Sequence, residues 1–319
     1  MRRQHGAALL TAMIIVTLVA TLAASMVWQQ WRAVQVEAAE RARVQSAWML
    51  AGALDWSRLI LRESAKPNQP TWIDDQWAKP LEEARLSTFL AADANNTDDA
   101  PDVFLSGDIS DAQARFNLGN LVNAGVVSET DRYTLRRLCV NIGLSASVAD
   151  AITLGMVNAT AASAAPATAP LLPMKISQLS WFGISPDTIQ ALEPYVVLLT
   201  DGTKLVSGVN INANTASREV LAAAFDVDPA IAERVVQLRK RGAFRGSADY
   251  ATVFQPPAVA PTPPLPALVF TSDWFIVRGR LRLADRMLEE RSLVRRNTNT
   301  NKFEAVQRER VASRESPGN

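Results

Sequence analysis

The longest run of apolar positions extends from Ala7 to Trp28, 22 residues without a charged side chain. As a helix it measures roughly 33 Å, enough to cross a hydrocarbon core of about 30 Å. Arg2 and Arg3 precede it. By the positive-inside rule they set the N-terminus in the cytoplasm and send everything after Arg32 across the membrane. Beyond Arg32 the pattern predicts an amphipathic continuation of the same helix. Val44, Ala47, Trp48, Ala51, Leu54 and Leu61 recur at helical spacing, with Glu40, Arg41, Arg43 and Arg58 on other sides. Lys66-Pro67 predicts the stop, because the residue before proline disfavours the helical region.

Farther along, Val103–Gly107 reads as a strand, followed by a polar turn rich in Ser, Asp, Asn and Gly. From Ser128 to about Tyr250 the spacing is helical and contains a weak repeat, beginning at Gly143, Gly183 and Asp226. Each copy has a turn residue, an apolar residue, then Ser or Asp as an N-cap opening a short helix; Pro186 and Pro229 fall in the first turn. These units look like helix-hairpin-helix, or SAM-like, modules. Residues 159–173 read as an exposed loop, and six prolines between Gln255 and Pro266 as an extended exit linker. Trp274–Leu283 then alternates, with Val277, Leu281 and Leu283 on one face and Arg278, Arg280 and Arg282 on the other. A turn at 284–286 leads to a second strand over 287–296, and the polar tail after Asn297 is expected to fray.

The predicted class is therefore α+β: a long N-terminal transmembrane and amphipathic helix packed on a small antiparallel sheet, with a large all-α insertion. The expected segments are a leader over 1–6, the membrane part of the helix over 7–31, and a first part of the sheet domain over 32–127. An insertion over 128–266, closing strands over 267–296 and a tail over 297–319 follow.

Composition narrows the function. Of 319 residues about 290 lie outside leader and membrane helix, enough for two folded units. A net charge of +1, from 33 basic and 32 acidic residues, gives no bulk electrostatic case for nucleic acid. The single cysteine, Cys139, sits among apolar residues and reads as a buried thiol, with no intrachain disulfide to form. The only histidine is His5, so the exported part has no His-based triad, general base or zinc site. No enzyme activity and no cofactor are expected. Asp93, Asp98, Asp99 and Asp102 cluster without EF-hand spacing, as a solvated loop or a weak calcium site.

A charged leader, Gly6, then a small residue opening a long apolar helix resembles the leaders cut by prepilin peptidase. The resemblance implies cleavage between Gly6 and Ala7 and N-methylation of Ala7; a plain uncleaved signal anchor is the bland alternative. Pilins and most pseudopilins carry Glu at the fifth mature position, where this chain has Thr11. An unpaired carboxylate in lipid is costly, so a subunit with no neighbour to pair it gains by losing it.

The string Asp108–Leu121 carries the strongest resemblance, to the signature of the K-type minor pseudopilins of the type II secretion system. Asp111, Gln113, Arg115, Phe116, Asn117, Leu118, Asn120 and Leu121 match it, while Ala114 and Gly119 depart from the usual Gly and Asn. The resemblance implies a pilin-like fold and a non-enzymatic subunit at the tip of a periplasmic pseudopilus. Its implied partners are I- and J-type minor pseudopilins, the inner-membrane secretion platform and prepilin peptidase, with no nucleic acid. Where that family has an acidic segment, Ile152–Asn158 has no carboxylate, which puts calcium there in doubt. A minor pilin of a type IV pilus and a membrane-tethered DNA receptor are the alternatives. The second rests on the likeness of Val209–Ala216 and Gly242–Arg245 to the helix-hairpin-helix of competence DNA receptors. Against it, the two hairpin glycines that approach phosphate are here Asp226 and Asp228, and the cations Arg234, Arg239, Lys240, Arg241 and Arg245 read as a solvated face.

Overall fold

The computed structural model describes residues 5–66, 69–85, 103–160, 170–254, 261–283 and 286–311. Helix α1 runs unbroken over 60 residues, His5–Ser64. The chain divides into two compact units between Gly52 and Ala53. Among the described residues α1 is the one helix long and apolar enough to cross a membrane. Its side chains from Leu9 to Val36 are exposed, as a lipid-facing segment requires. The hydroxyls in this stretch turn back onto the helix: Thr11 donates to the Ala8 carbonyl at 2.9 Å, Thr21 to Leu18 at 2.9 Å and Ser25 to Leu22 at 2.9 Å. Their polarity is thereby satisfied without a partner helix. The Gly6–Ala7 bond lies at the start of α1.

The expected apolar stripe along α1 does not run on one face. Leu54 and Leu61 are buried, whereas Val44 and Trp48 are exposed, Trp48 by 75%. At 100° per residue Leu54 and Leu61 are about 20° apart, but Trp48 lies about 120° from Leu54. The helix ends at Ser64; Pro67 lies outside the described residues.

In the second unit, β1 (Leu81–Arg85), β2 (Val103–Asp111), β3 (Trp274–Leu283), β4 (Arg286–Asn297) and β5 (Lys302–Val311) form one antiparallel sheet in sequential order. The strand β5 corrects the expectation of a frayed tail after Asn297. Its Phe303 is buried against Phe275, Val294 and Leu61, and Lys302, Glu304, Arg308 and Arg310 are exposed on this edge strand. Charge on an edge discourages pairing with foreign strands while leaving one apolar face for the core.

One sheet face packs on the last turns of α1. Leu54, Leu61 and Trp77 meet Phe275, Val277, Val294 and Phe303 there, and the Arg58 Nε donates to the Phe303 carbonyl at 2.5 Å. The opposite face packs on the insertion, where Trp274, Ile276 and Leu293 meet Ala112, Val197 and Leu199. Trp274–Val277 are consequently four consecutive buried residues, and beyond them only Leu281 is buried, so the expected alternation does not show in the burial of β3. At the crossing of β2 and β3, Gly107 faces Gly279; a Cβ on Gly107 would stand 2.5 Å from the Arg278 carbonyl.

Between β2 and β3 lies the insertion: α2 (Glu129–Asn141), α3 (Ala146–Thr160), α4 (Pro186–Leu192), α5 (Arg218–Phe225) and α6 (Pro229–Arg239). The repeat predicted from sequence is real in backbone terms. Gly143, Gly183 and Asp226 all adopt the left-handed conformation, at φ of 81°, 77° and 57°. Two residues later Ser145, Ser185 and Asp228 each accept an amide of the helix that follows, from Ser147, Thr188 and Ala230. Glycine carries no steric penalty at the left-handed position and aspartate tolerates it, so three sequences produce one hairpin. The insertion is not purely helical: Phe116–Asn117 pairs with Val196–Val197 and Ile211–Asn212 with Leu268–Val269, both parallel.

Its core holds Phe116, Leu118, Leu121, Leu138, Ile152 and Leu221, with Cys139 buried and its thiol pushed up to about 11 by burial. Residues 112–127 thus belong to the insertion, and the boundary falls at Asp111 rather than at Ser128. Gly155 is required on α3 because the Phe182 ring lies 2.3 Å from where its Cβ would be. Residues 161–169 of the expected loop and 255–260 of the expected linker lie outside the described residues; Leu265, farther along that linker, packs on the insertion core. Substituting Phe303→Ala should cost about 3–5 kcal/mol in chemical denaturation of the full chain, the range for emptying a buried aromatic site. A loss under 0.5 kcal/mol would mean β5 is a dispensable tail.

Candidate functional site at the sheet–insertion junction

The signature residues stand where the chain leaves β2 for the insertion. Asp111 ends β2 and is buried, 3% exposed. One carboxylate oxygen accepts the Gln113 amide at 2.7 Å. The other accepts the hydroxyls of Thr215 and Ser272, each at 2.6 Å, and Nδ2 of Asn212 at 3.0 Å. The donors come from the insertion and from the segment returning to β3, so a single side chain ties three segments.

Burial pushes the Asp111 carboxyl above its ordinary value, while Ser272, Thr215, Gln113 and Asn212 pull it back. A native pKa above the unfolded one means the folded state holds the proton more tightly. This group's contribution to stability therefore falls as pH rises through that window.

The rest of the signature extends the junction. Gln113 Nε2 donates to the Asn210 carbonyl at 3.0 Å, and its Oε1 accepts the Asp273 amide at 2.7 Å, so it clasps both returning strands. Asn117 Oδ1 accepts the amides of Gly119 and Leu199, and its Nδ2 donates to Val206 and Asn120. Asn120 does the same for Val209, accepting its amide and donating to its carbonyl. Gly119, one of the two departures from the signature, has a local reason. A Cβ there would stand 2.5 Å from the Val206 carbonyl. Phe116, Leu118 and Leu121 alternate with these amides into the insertion core. Arg115 points elsewhere, donating from Nε to the Pro194 carbonyl at 3.2 Å.

Residues that sequence reasoning did not single out complete the junction. Asn212 Oδ1 accepts the Asn214 amide, and Asn214 clasps Phe244 through both amide and carbonyl. Arg239 is a correction to the expected solvated face. It is buried, donates to the carbonyls of Ala213 and Ala216 at 2.9 and 2.6 Å, and burial lowers its pKa to about 10. The Ala-rich α5 before it and the apolar neighbours Ala232 and Val235 were the available signal that this helix face is interior. Arg234, Lys240, Arg241 and Arg245 are exposed as expected.

Chemically the junction is a staple. Both oxygens of Asp111 are engaged by donors, one on Oδ1 and three on Oδ2, and the group is buried inside the protein. The hairpin weighed for nucleic acid is filled by its own carboxylates. Asp228 occupies the first amide of α6, where a phosphate would sit, and Asp226 pairs with Arg137 at 3.4 Å. Among the described residues no three His, Cys, Asp or Glu side chains are grouped to hold a metal. The acidic cluster Asp93, Asp98, Asp99 and Asp102 lies outside the described residues.

A membrane-length N-terminal helix whose last turns pack on an antiparallel sheet, interrupted by a stapled helical insertion, defines an α+β, pilin-like architecture with a large insertion. The model of the family described as type II secretion system (T2SS), protein K, matches residues 211–269, the stretch from Asn212 to the return towards β3. Type II secretion system protein K of Pectobacterium carotovorum subsp. carotovorum is 28% identical, over 96% of each chain. That of Pseudomonas aeruginosa is 26% identical, over 78% of this chain and 76% of its own. The fold matches a chain in the crystal structure of the GspK–GspI–GspJ complex from enterotoxigenic Escherichia coli, with a TM-score of 0.55 and 17% identity over 86% of this chain and 99% of that one.

Replacing Asp111 by Ala strands an amide, an Asn side chain and two hydroxyls in the interior. It should cost about 3–5 kcal/mol, at ~1–3 kcal/mol for each unsatisfied group with partial rescue by rotating hydroxyls. Asp111→Asn should cost less, since only the contact with Asn212 becomes donor against donor. Urea titration of both variants checks this; equal costs, or none, would contradict the staple.

Proposed function

We propose that this protein is a non-enzymatic minor pseudopilin that helps to initiate the type II secretion pseudopilus and caps its tip. The observation that carries the reading is the similarity to type II secretion system protein K joined to the architecture: one helix to stack with other pilin-like helices, and a large domain inserted into the sheet. In this reading the N-terminus is cytoplasmic and the sheet and insertion are periplasmic. Prepilin peptidase cuts between Gly6 and Ala7, and Ala7 is N-methylated.

Two features support a terminal position. Thr11 replaces the carboxylate that pairs neighbouring subunits, and its hydroxyl is bonded within its own helix. No charge then needs a subunit above it. The insertion adds bulk to the sheet, which would obstruct stacking of a further subunit. The partners in this reading are the I- and J-type minor pseudopilins and the inner-membrane platform; the role asks for no cofactor. The exposed side chains Trp56 and Leu59, on the side of α1 away from the sheet core, are positioned for a partner helix.

The experiment is co-expression of the full chain with I- and J-type subunits from its own operon and prepilin peptidase, followed by detergent extraction and affinity purification. A stoichiometric three-subunit complex is expected, with intact mass placing the mature start at Ala7. Trp56→Glu should lower recovery of the partners at least about tenfold, the effect of placing a charge in an apolar contact of about 1.4 kcal/mol or more. Recovery of the chain alone, with Met1 intact in the presence of the peptidase, would overturn the assignment.

A further inference from the structure

On the insertion-facing side of the sheet, three guanidinium groups converge beside the turn that follows α4. Arg291 on β4 is the direct cross-strand partner of Arg278 on β3. Like charges at such a position repel unless something between them is negative. Arg291 donates from Nη1 to Glu193 at 2.8 Å, and Arg115 donates from Nε to the carbonyl of the next residue, Pro194. Their contacts with adjacent residues of one turn bring Arg115 and Arg291 together.

The carboxylates nearby do not match this charge. Glu193 serves Arg291, Glu289 is divided between Arg278 at 3.4 Å and Arg280 at 3.2 Å, and Asp108 reaches Arg278 only at 3.9 Å. Among the described residues Arg115 makes no salt bridge, though Glu193 and Asp111 act on it from farther off. At salt-bridge distance four guanidiniums thus meet three carboxylates. The buried Nε–H of Arg291 moreover has no hydrogen-bond partner, and that of Arg278 has only Glu289, at 3.4 Å. Buried donors in native proteins have partners, from protein, water or a bound ion. The two side chains keep 26% and 31% of their surface exposed, so solvent reaches the side chains although the Nε atoms themselves are covered. Burial, then Arg291 and Arg278, holds the Arg115 guanidinium below its ordinary range, against an opposing pull from Glu193 and Asp111.

We propose that Arg115, Arg278 and Arg291 form a binding site for a small oxyanion, supplied either as free phosphate or as a carboxylate of a neighbouring protein. Guanidinium forks match planar and tetrahedral oxyanions, which accept several N–H groups at once. The site lies between sheet and insertion, so an anion bound there adds a contact across the junction that Asp111 fastens from inside. It is independent of the tip role: the chain binds the anion whether or not it caps a pseudopilus.

The test is thermal unfolding of the full chain in detergent, followed by tryptophan fluorescence, in phosphate or glutarate against chloride at matched ionic strength. Wild type should show a saturable rise in Tm of about 3 °C or more over chloride. Arg115→Gln and Arg291→Gln should lose most of that rise, and Arg308→Gln, an exposed cation on β5, should keep it. Should Arg115→Gln fail to fold, Arg278→Gln takes its place. A rise with both anions supports a site open to a partner's carboxylate, and a rise with phosphate alone supports free phosphate. No rise beyond chloride in wild type, or a rise undiminished in the arginine variants, overturns the proposal.

Discussion

A carboxylate buried at the end of a strand is an expensive group to keep, and the second unit is arranged around making Asp111 tolerable. Two hydroxyls, a backbone amide and a side-chain amide meet it, from positions 2 to 161 residues away in sequence. Those donors reach it only if the strand, the insertion and the returning segment hold one relative placement. An incompletely docked insertion leaves the ion unpaired in a dry interior, at a cost of several kcal/mol. The staple therefore penalises partial structures more than it rewards the complete one.

Other features follow from that docking. The four buried residues at the start of β3 need apolar cover on both faces, α1 on one and the insertion on the other. The amide-bearing residues Gln113, Asn117, Asn120, Asn212 and Asn214 take over hydrogen bonding where the backbone has no regular partner. A chain crossing between layers has no ladder to satisfy its amides and carbonyls, so side-chain amides, which both donate and accept, replace it. An insertion held in this way is fixed against the sheet by side chains rather than by a backbone ladder.

Much of this was legible from the sequence where the signal is local. The apolar run defines α1, and a turn residue followed two positions later by Ser or Asp marks all three hairpins, including the one in which Asp226 stands for glycine. The signature string was recognisable, but its role was not. Its partners Asn212, Thr215 and Ser272 are over a hundred residues away, and nothing in one sequence reports that distance closing. The strand β5 was missed because an edge strand carries charges that make it look like a tail. Arg239 was misread because a helix cation is normally solvated, and only the carbonyls of Ala213 and Ala216 explain its burial. Along α1, helical spacing alone placed Trp48 beside Leu54; the angular separation of the two shows that they face different ways.

The central claim is that sheet and insertion are one cooperative structure fastened at Asp111. Native-state hydrogen exchange of the full chain, read by mass spectrometry on peptides from β3, α2 and α5 across low denaturant, tests it most directly. The most protected amides of all three elements should converge on one opening free energy and report a single global unfolding. Amides of α2 and α5 exchanging through a separate opening, several kcal/mol below that of β3, would contradict it.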